Sequence, residues 1–137
     1  MSLTEDERTI IVRREYEKAL LFMEQAEGNA KLGYWDVVAN RMYYAVFHAV
    51  SALLVKDGHK VGTHKGTVMA YGLHYVKTGI VTPDEGSLYS QLQSMREDAD
   101  YNCAFQSDSS KMSILLPQAK GLIEKIGTLI GNLASDQ

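Results

Sequence analysis

The chain has 137 residues, of which 45% are hydrophobic and 23% are charged, and its formal net charge is −3. This length suits one compact domain with a real core, so we expect a single domain over residues 1–137. The acidic balance argues against a surface coated with basic residues for duplex nucleic acid. One cysteine, Cys103, excludes an internal disulfide or a zinc cluster and fits a buried thiol in a reducing compartment.

The first half of the sequence predicts two long helices. Thr4 and Glu7 have the spacing of a capping box, and apolar residues at helical spacing follow them toward Gly33. A turn at residues 33–36 leads into a second helix, which we expect to end at residues 56–58, where Lys-Asp-Gly closes the pattern. This second helix is the most apolar of the chain and is the predicted centre of the fold.

The second half predicts three more helices. Thr63 is the predicted cap of a third helix of about four turns, and this helix should end near Gly79. Thr82 and Pro83 give the strongest start signal, because a cap residue precedes a proline at the first helical position, and the fourth helix should reach about Tyr101.

A fifth helix should begin near residues 107–110, since apolar residues recur at helical spacing from Met112 to Ile130. Pro117 falls early in it, so the helix either starts later than Ser110 or bends at the proline. Five helices with short connections predict an all-α fold, a five-helix up-and-down bundle.

The start of the chain and its longest apolar run bear on location. No basic, apolar and small-residue sequence opens the chain, so we expect no secretory signal and a cytoplasmic protein. Residues 42–55 contain no Lys, Arg, Asp or Glu, but this run is too short to span a bilayer. We therefore expect no membrane partner.

Arg41 and His48 stand out because they interrupt the most apolar helix with a guanidinium and an imidazole. They are seven residues apart, about two helical turns, and share one face with Tyr44. A histidine can take the proton from a ribose 2′-hydroxyl, and an arginine can hold two phosphate oxygens, so the pair could cleave RNA without metal. Spacing alone favours a structural interpretation, in which the histidine is bonded inside the core or a dimer interface and the arginine is paired with an acid.

One such histidine per chain can act as the base but leaves no residue to protonate the departing oxygen. A two-fold dimer would supply a second copy of the histidine for that step. The other histidines do not predict a metal site, because no acidic residue joins His59, His64 or His74 at helical ligand spacing. A glycine-rich phosphate loop and a nucleophile elbow are also absent from the sequence, so nucleotide hydrolysis and acyl transfer have no support. We expect no metal and no cofactor.

Three segments together resemble the HEPN domain family. They are Arg-x-Tyr-Tyr-Ala-x-Phe-His at 41–48, His-Lys-Gly at 64–66 and Arg-x-x-Ala-Asp-Tyr at 96–101. The chain looks most like the small stand-alone branch encoded beside minimal nucleotidyltransferases, and the resemblance covers nearly its whole length. It implies a helical bundle that forms a homodimer and, in many relatives, a metal-independent ribonuclease that serves as the toxin of a toxin–antitoxin pair.

The family nucleases use an arginine and a histidine with four to six residues between them, commonly near the fourth helix. Here that place holds Arg96 with no histidine after it, whereas Arg41 and His48 have the spacing on the second helix. The resemblance therefore implies Arg41 and His48 as catalytic residues, aided by Arg96. The implied binding residues are Asn40, Tyr44, His64, Lys65 and Tyr101.

Two functions follow from this resemblance. The first is a toxin that cleaves single-stranded RNA and has a nucleotidyltransferase as its antitoxin. The alternative is a non-catalytic module that dimerises and binds a nucleotide or a nucleotidyltransferase through the same residues.

Overall fold

The computed structural model describes residues 3–102 and 109–131, and within them it has five α-helices and no strand. The helices are α1 (Glu5–Leu32), α2 (Trp35–Lys56), α3 (His64–Tyr71), α4 (Pro83–Tyr101) and α5 (Ser109–Ile130). The predicted all-α helical bundle is confirmed. Cys103, the predicted buried thiol, lies outside the described residues.

Helix α1 begins and ends where the sequence predicts. The Thr4 hydroxyl accepts from the backbone N–H of Glu7 at 3.1 Å, and the Glu7 carboxylate accepts from the Thr4 N–H at 2.8 Å. This capping box pairs backbone donors that a helix start leaves free. Gly33 ends the helix with a φ of 80°, a left-handed conformation that glycine adopts without strain.

Helices α1 and α2 form an antiparallel hairpin, the most extensive helix pair of the fold. The guanidinium of Arg8 donates to the carbonyl of Val55 at 2.7 Å, which ties the start of α1 to the end of α2. Helix α2 also packs against α3, α4 and α5, and most of its residues from Val38 to Leu54 are buried. Its predicted place at the centre of the fold is confirmed.

The apolar character of α2 has a structural explanation. By length and composition this helix could cross a membrane, but 67% of its most apolar window is buried inside the bundle. Such burial is what the core helix of a bundle requires.

Helix α3 departs from the predicted four-turn helix. It has eight α-helical residues and continues as a π-helical segment, Gly72–Val76, with Gly79 beyond it in a turn. Two buried tyrosines bracket the change. Tyr71 donates to the carbonyl of Glu85 at 3.1 Å, and Tyr75 donates to the carboxylate of Asp57 at 2.8 Å. A wider turn at Gly72, a poor helix former, lets both rings reach their partners.

Helices α4 and α5 complete the bundle. Helix α4 begins after the predicted cap, Thr82, which forms a capping box with Glu85 and is followed by Pro83 at the first helical position. Helix α5 begins at Ser109 and carries Pro117 inside it, so the alternative of a later start is wrong. Near its end, Gly127 lies against Tyr16 of α1, whose hydroxyl donates to the carbonyl of Ile123 at 3.0 Å.

Candidate functional site

Tyr44 is the centre of a cluster of cationic and imidazole side chains. The Cζ atom of Arg96 lies 5.6 Å from the centre of its ring, and that of Arg41 lies 6.0 Å away. The imidazole rings of His64 and His48 have their centres at 5.6 Å and 6.4 Å. Residues from α2, from the start of α3 and from the end of α4 thus meet at one place.

The α1–α2 hairpin sets one side of this site. Glu15 and Phe22 are seven residues apart on α1, as Arg41 and His48 are on α2, so each pair lies along one helix face. Because the helices run antiparallel, Glu15 meets His48 while Phe22 reaches Arg41. The guanidinium Cζ of Arg41 lies 4.5 Å from the centre of the Phe22 ring.

Glu15 fixes the orientation of His48. The Nδ1 atom of His48 lies 3.0 Å from Oε2 of Glu15, and the imidazole side chain is 13% exposed. A carboxylate can only accept, so in the neutral ring Nδ1 carries the proton and Nε2 is left as a proton acceptor. This arrangement suits a general base.

Arg41 keeps an uncompensated charge. Its Nε and Nη2 atoms donate to Oδ1 of Asn40 at 3.0 and 2.6 Å, and its Nη1 atom donates to Oε1 of Gln25 at 3.4 Å. Both partners are neutral amides. Within 3–102 and 109–131, no carboxylate forms an ion pair with Arg41, so its positive charge is available to an anion.

Arg96 is buried instead. It is 8% exposed, its Cζ atom lies 4.9 Å from the centre of the Tyr43 ring, and its Nη1 atom is 3.7 Å from Oδ2 of Asp100. Asp100 also accepts from the amide of Asn40 at 3.2 and 3.3 Å. Arg96 therefore packs over the tyrosines, and its ion-pair partner Asp100 links α4 to Asn40, the residue that orients Arg41.

His64 faces the same cluster from the start of α3. Its Nδ1 atom lies 2.8 Å from the Tyr43 hydroxyl, and its ring packs on Phe47 with ring centres 4.6 Å apart. Burial, together with the nearby charges of Arg96 and His48, lowers the pKa of His64, and burial raises the pKa of Tyr43. With His64 neutral and Tyr43 protonated, a hydroxyl that donates to Nδ1 leaves the imidazole proton on Nε2.

The remaining predicted residues lie at the edge of the site. The ring centre of Tyr101, which is 78% exposed, is 6.0 Å from the Cζ atom of Arg96. Lys65 is exposed next to His64, and among the described residues it forms no ion pair with a carboxylate. The structure thus brings together Asn40, Arg41, Tyr44, His48, His64 and Arg96, with Tyr101 beside them.

Two partners escaped the sequence analysis. Glu15 lies three residues after buried Val12 and four before buried Ala19, so a carboxylate on the apolar stripe of α1 was a usable signal. Tyr43 gave no such signal, because an aromatic residue in an apolar helix is usually a packing residue. Among the described side chains, no group of three His, Cys, Asp or Glu is placed to bind a metal ion.

Comparisons with known proteins identify the fold. Residues 12–129 match the HEPN domain. A UPF0332 protein of Thermotoga maritima is 33% identical over 94 residues, which cover 69% of this chain and 71% of the relative. A Methanocaldococcus jannaschii protein named "Putative toxin MJ0605" is 30% identical over 93 residues, 68% of each chain. A second protein of that organism, "Putative toxin MJ0142", is 23% identical over 109 residues, 80% of this chain and 74% of the relative.

The chain belongs to the HEPN domain family, since the match covers most of its length. Its relatives include proteins that carry the name of a toxin.

Proposed function

We propose that this protein is the toxin of a cytoplasmic toxin–antitoxin pair and acts as a metal-independent endoribonuclease on single-stranded RNA. The observation that carries the proposal is the convergence on Tyr44 of two guanidinium groups and two imidazoles. One imidazole has a carboxylate partner that leaves its outer nitrogen free to accept a proton. The names of the relatives support the toxin setting.

In this mechanism His48 is the general base. Its Nε2 atom takes the proton from a ribose 2′-hydroxyl, the 2′-oxygen bonds to the adjacent phosphorus, and the bond from phosphorus to the 5′-oxygen breaks. The products are a 2′,3′-cyclic phosphate and a 5′-hydroxyl. Arg41 holds the phosphate and stabilises the charge that develops on its oxygens. Arg96 acts as a positioning residue, because its guanidinium is enclosed by Tyr43, Tyr44 and Asp100.

A homodimer would complete the site. The 5′-oxygen needs a proton as it leaves, and a two-fold dimer places a second copy of His48 to supply it. Exposed apolar side chains next to the cluster support such an interface: Tyr34 is 57% exposed, Val37 is 38% exposed, and Tyr101 lies at the end of α4. Val37 is one turn before Arg41 on α2, so the interface would adjoin the phosphate-binding residue.

The antitoxin that we propose is a nucleotidyltransferase. Its support is the likeness of residues 41–48, 64–66 and 96–101 to the branch encoded beside such enzymes. Stable co-purification of the two proteins tests this partner, and independent elution of both when they are co-expressed would contradict it.

A non-catalytic module is the second candidate, and the burial of Arg96 is the observation that favours it. A guanidinium packed over two tyrosine rings stabilises a fold or an interface as well as it positions a catalytic site. This module would dimerise and bind a nucleotide or the nucleotidyltransferase without cleaving RNA.

Cleavage of a mixed-sequence single-stranded RNA in excess EDTA separates the two functions. The purified protein, Arg41→Ala, His48→Ala and the control Arg14→Ala, which removes an exposed arginine from α1, are compared at equal concentration. The ribonuclease proposal expects cleavage by the protein and the control and none by the two site variants. RNA that stays intact with all four would support the binding module, and activity that needs a divalent metal would contradict the mechanism.

A further inference from the structure

A groove extends from His48 away from the Tyr44 cluster, between the start of α1, the second half of α2 and the connection at residues 57–63. Its volume is about 810 Å³, within the range of about 300–1,000 Å³ typical of sites for small ligands. His48 and Glu15 line one part of it, and His59 and Lys60 line the connection side. The groove is thus continuous with the residue that we assign as the base.

Two cationic side chains line the groove, one from α1 and one from the connection. Arg8 is held in place by its hydrogen bond to the Val55 carbonyl, and Lys60 is exposed on the connection. The acid in the groove, Glu15, is already bonded to His48. Arg8 also forms a 3.9 Å ion pair with the exposed carboxylate of Glu5. A phosphate that enters here therefore meets the charge of Lys60, the partly compensated charge of Arg8, and an acid that is already paired with His48.

The groove also has an apolar lining. It is formed by Ile11, Val61 and the ring of Phe47, and all three are partly exposed. An aromatic ring with aliphatic neighbours can stack a nucleobase regardless of its identity. At the base of the groove Ser51 is 2% exposed, and within the described part of the chain its hydroxyl has no hydrogen-bond partner.

The connection that carries Lys60 is anchored at two points. Asp57 accepts from the Tyr75 hydroxyl at 2.8 Å, and the His59 ring stacks on the His74 ring with centres 3.8 Å apart and planes 15° apart. Both anchors belong to the segment that follows α3. The connection that carries Lys60 is therefore held in a defined position, as a binding site requires.

We propose that this groove binds a nucleotide unit, with its phosphate at Arg8 and Lys60 and its base against Phe47. In a bound RNA the groove is the subsite for the nucleotide next to the cleaved bond. This assignment rests on the proposed function, because His48 belongs to both the groove and the catalytic site. The same chemistry would also accept a free mononucleotide. When an RNA strand is bound, the groove fixes the register of the strand relative to His48. This places the ribose 2′-hydroxyl next to the Nε2 atom of His48, the proposed general base.

Binding of a strand that cannot be cleaved tests the groove apart from catalysis. The probe is a fluorescein-labelled mixed-sequence 2′-O-methyl RNA octamer, and its affinity is measured by anisotropy over a series of salt concentrations. Lys60→Gln is compared with Lys56→Gln, which makes the same change of charge at an exposed position four residues away that does not line the groove.

We expect Lys60→Gln to weaken binding by about threefold to tenfold and to reduce the slope of log K against log salt by about 0.7, the loss of one phosphate contact on a single strand. Lys56→Gln should stay within about twofold of the wild-type protein. Competition with adenosine monophosphate then distinguishes a free nucleotide from an RNA strand as the ligand of the groove. Displacement of the labelled octamer that depends on Lys60 would identify a free nucleotide as a ligand, and no displacement would identify the strand.

Equal affinities for Lys60→Gln and Lys56→Gln, or a wild-type protein that binds neither probe, would overturn the groove site. Its failure is distinct from failure of the ribonuclease assignment. EDTA-resistant cleavage with no effect of Lys60→Gln on binding removes the groove alone, whereas binding that depends on Lys60 without any cleavage removes the ribonuclease alone.

Discussion

The contact of Gly127 with Tyr16 gives a prediction about the packing of α1 on α5. A methyl group added at Gly127 would overlap the Tyr16 hydroxyl and lie 2.8 Å from the ring Cζ atom, so the ring has to move. Its movement breaks the hydrogen bond to the Ile123 carbonyl. Gly127→Ala should therefore destabilise the fold although alanine is the better helix former.

The magnitude follows from three opposing effects. Overpacking costs about 1–3 kcal/mol and the lost hydrogen bond about 1 kcal/mol, while alanine in place of glycine within a helix gains about 1 kcal/mol. We expect a net loss of about 1–3 kcal/mol in the free energy of unfolding. For a chain of this size that lowers Tm by roughly 3–12 °C.

Gly121 is the matched control on the same helix. A methyl group there meets no atom within 4 Å, so Gly121→Ala should stabilise the protein by about 0.5–1 kcal/mol. Urea unfolding followed by far-UV circular dichroism measures both variants. In a Tyr16→Leu background, which removes the ring, Gly127→Ala should become neutral or stabilising. Equal shifts for the two glycine variants in the wild-type background would refute the reasoning.

Three further predictions concern the site and the caps. Glu15→Gln removes the charge that stabilises the imidazolium of His48. Since a hydrogen bond to a charged group contributes about 1.5–3 kcal/mol, kcat/KM for RNA should fall by about 10–100-fold. An unchanged rate would show that Glu15 is only a packing residue. Burial, with Arg96 and His48, lowers the pKa of His64 below its usual 6.5, so the stability contributed by neutral His64 is complete above pH 6.5 and is lost as the pH falls through the lower pKa of the folded state. Urea midpoints between about pH 7.5 and about pH 5 should therefore decline less in His64→Asn, which keeps an acceptor for the Tyr43 hydroxyl, and equal declines would contradict this. Thr82→Ala should cost about 1 kcal/mol in unfolding free energy by urea titration, Thr82→Ser should cost less, and no difference between them would argue against the capping box.

The helix boundaries were predictable where local chemistry decides them. The capping boxes at Thr4 and Thr82 and the turn at Gly33 act within four residues, so the sequence contains the whole signal. The end of α3 is different, because the tyrosines of this segment bond to residues outside it. Tyr71 donates to Glu85 of α4, and Tyr75 donates to Asp57, 18 residues earlier in the chain. No local pattern contains those contacts.

The candidate site divides in the same way. Arg41, Tyr44 and His48 share a face of one helix, and spacing alone places them together. The partnership of His48 with Glu15 depends on the register of the α1–α2 hairpin, and the burial of Arg96 depends on how α4 crosses α2. Both are tertiary contacts that residue spacing cannot supply.

The proposed catalytic role of Arg41 and His48 is tested most directly by identifying the ends that cleavage of RNA produces. Two oligonucleotides of identical sequence, one all-ribose and one with 2′-deoxyribose at every position, are incubated with the protein in EDTA, and the ends are identified by mass spectrometry. We expect the ribose strand to yield 2′,3′-cyclic phosphate and 5′-hydroxyl ends and the deoxyribose strand to remain intact. Cleavage of the deoxyribose strand, or ends with a 5′-phosphate, would contradict attack by the 2′-oxygen and with it the role of His48 as the base.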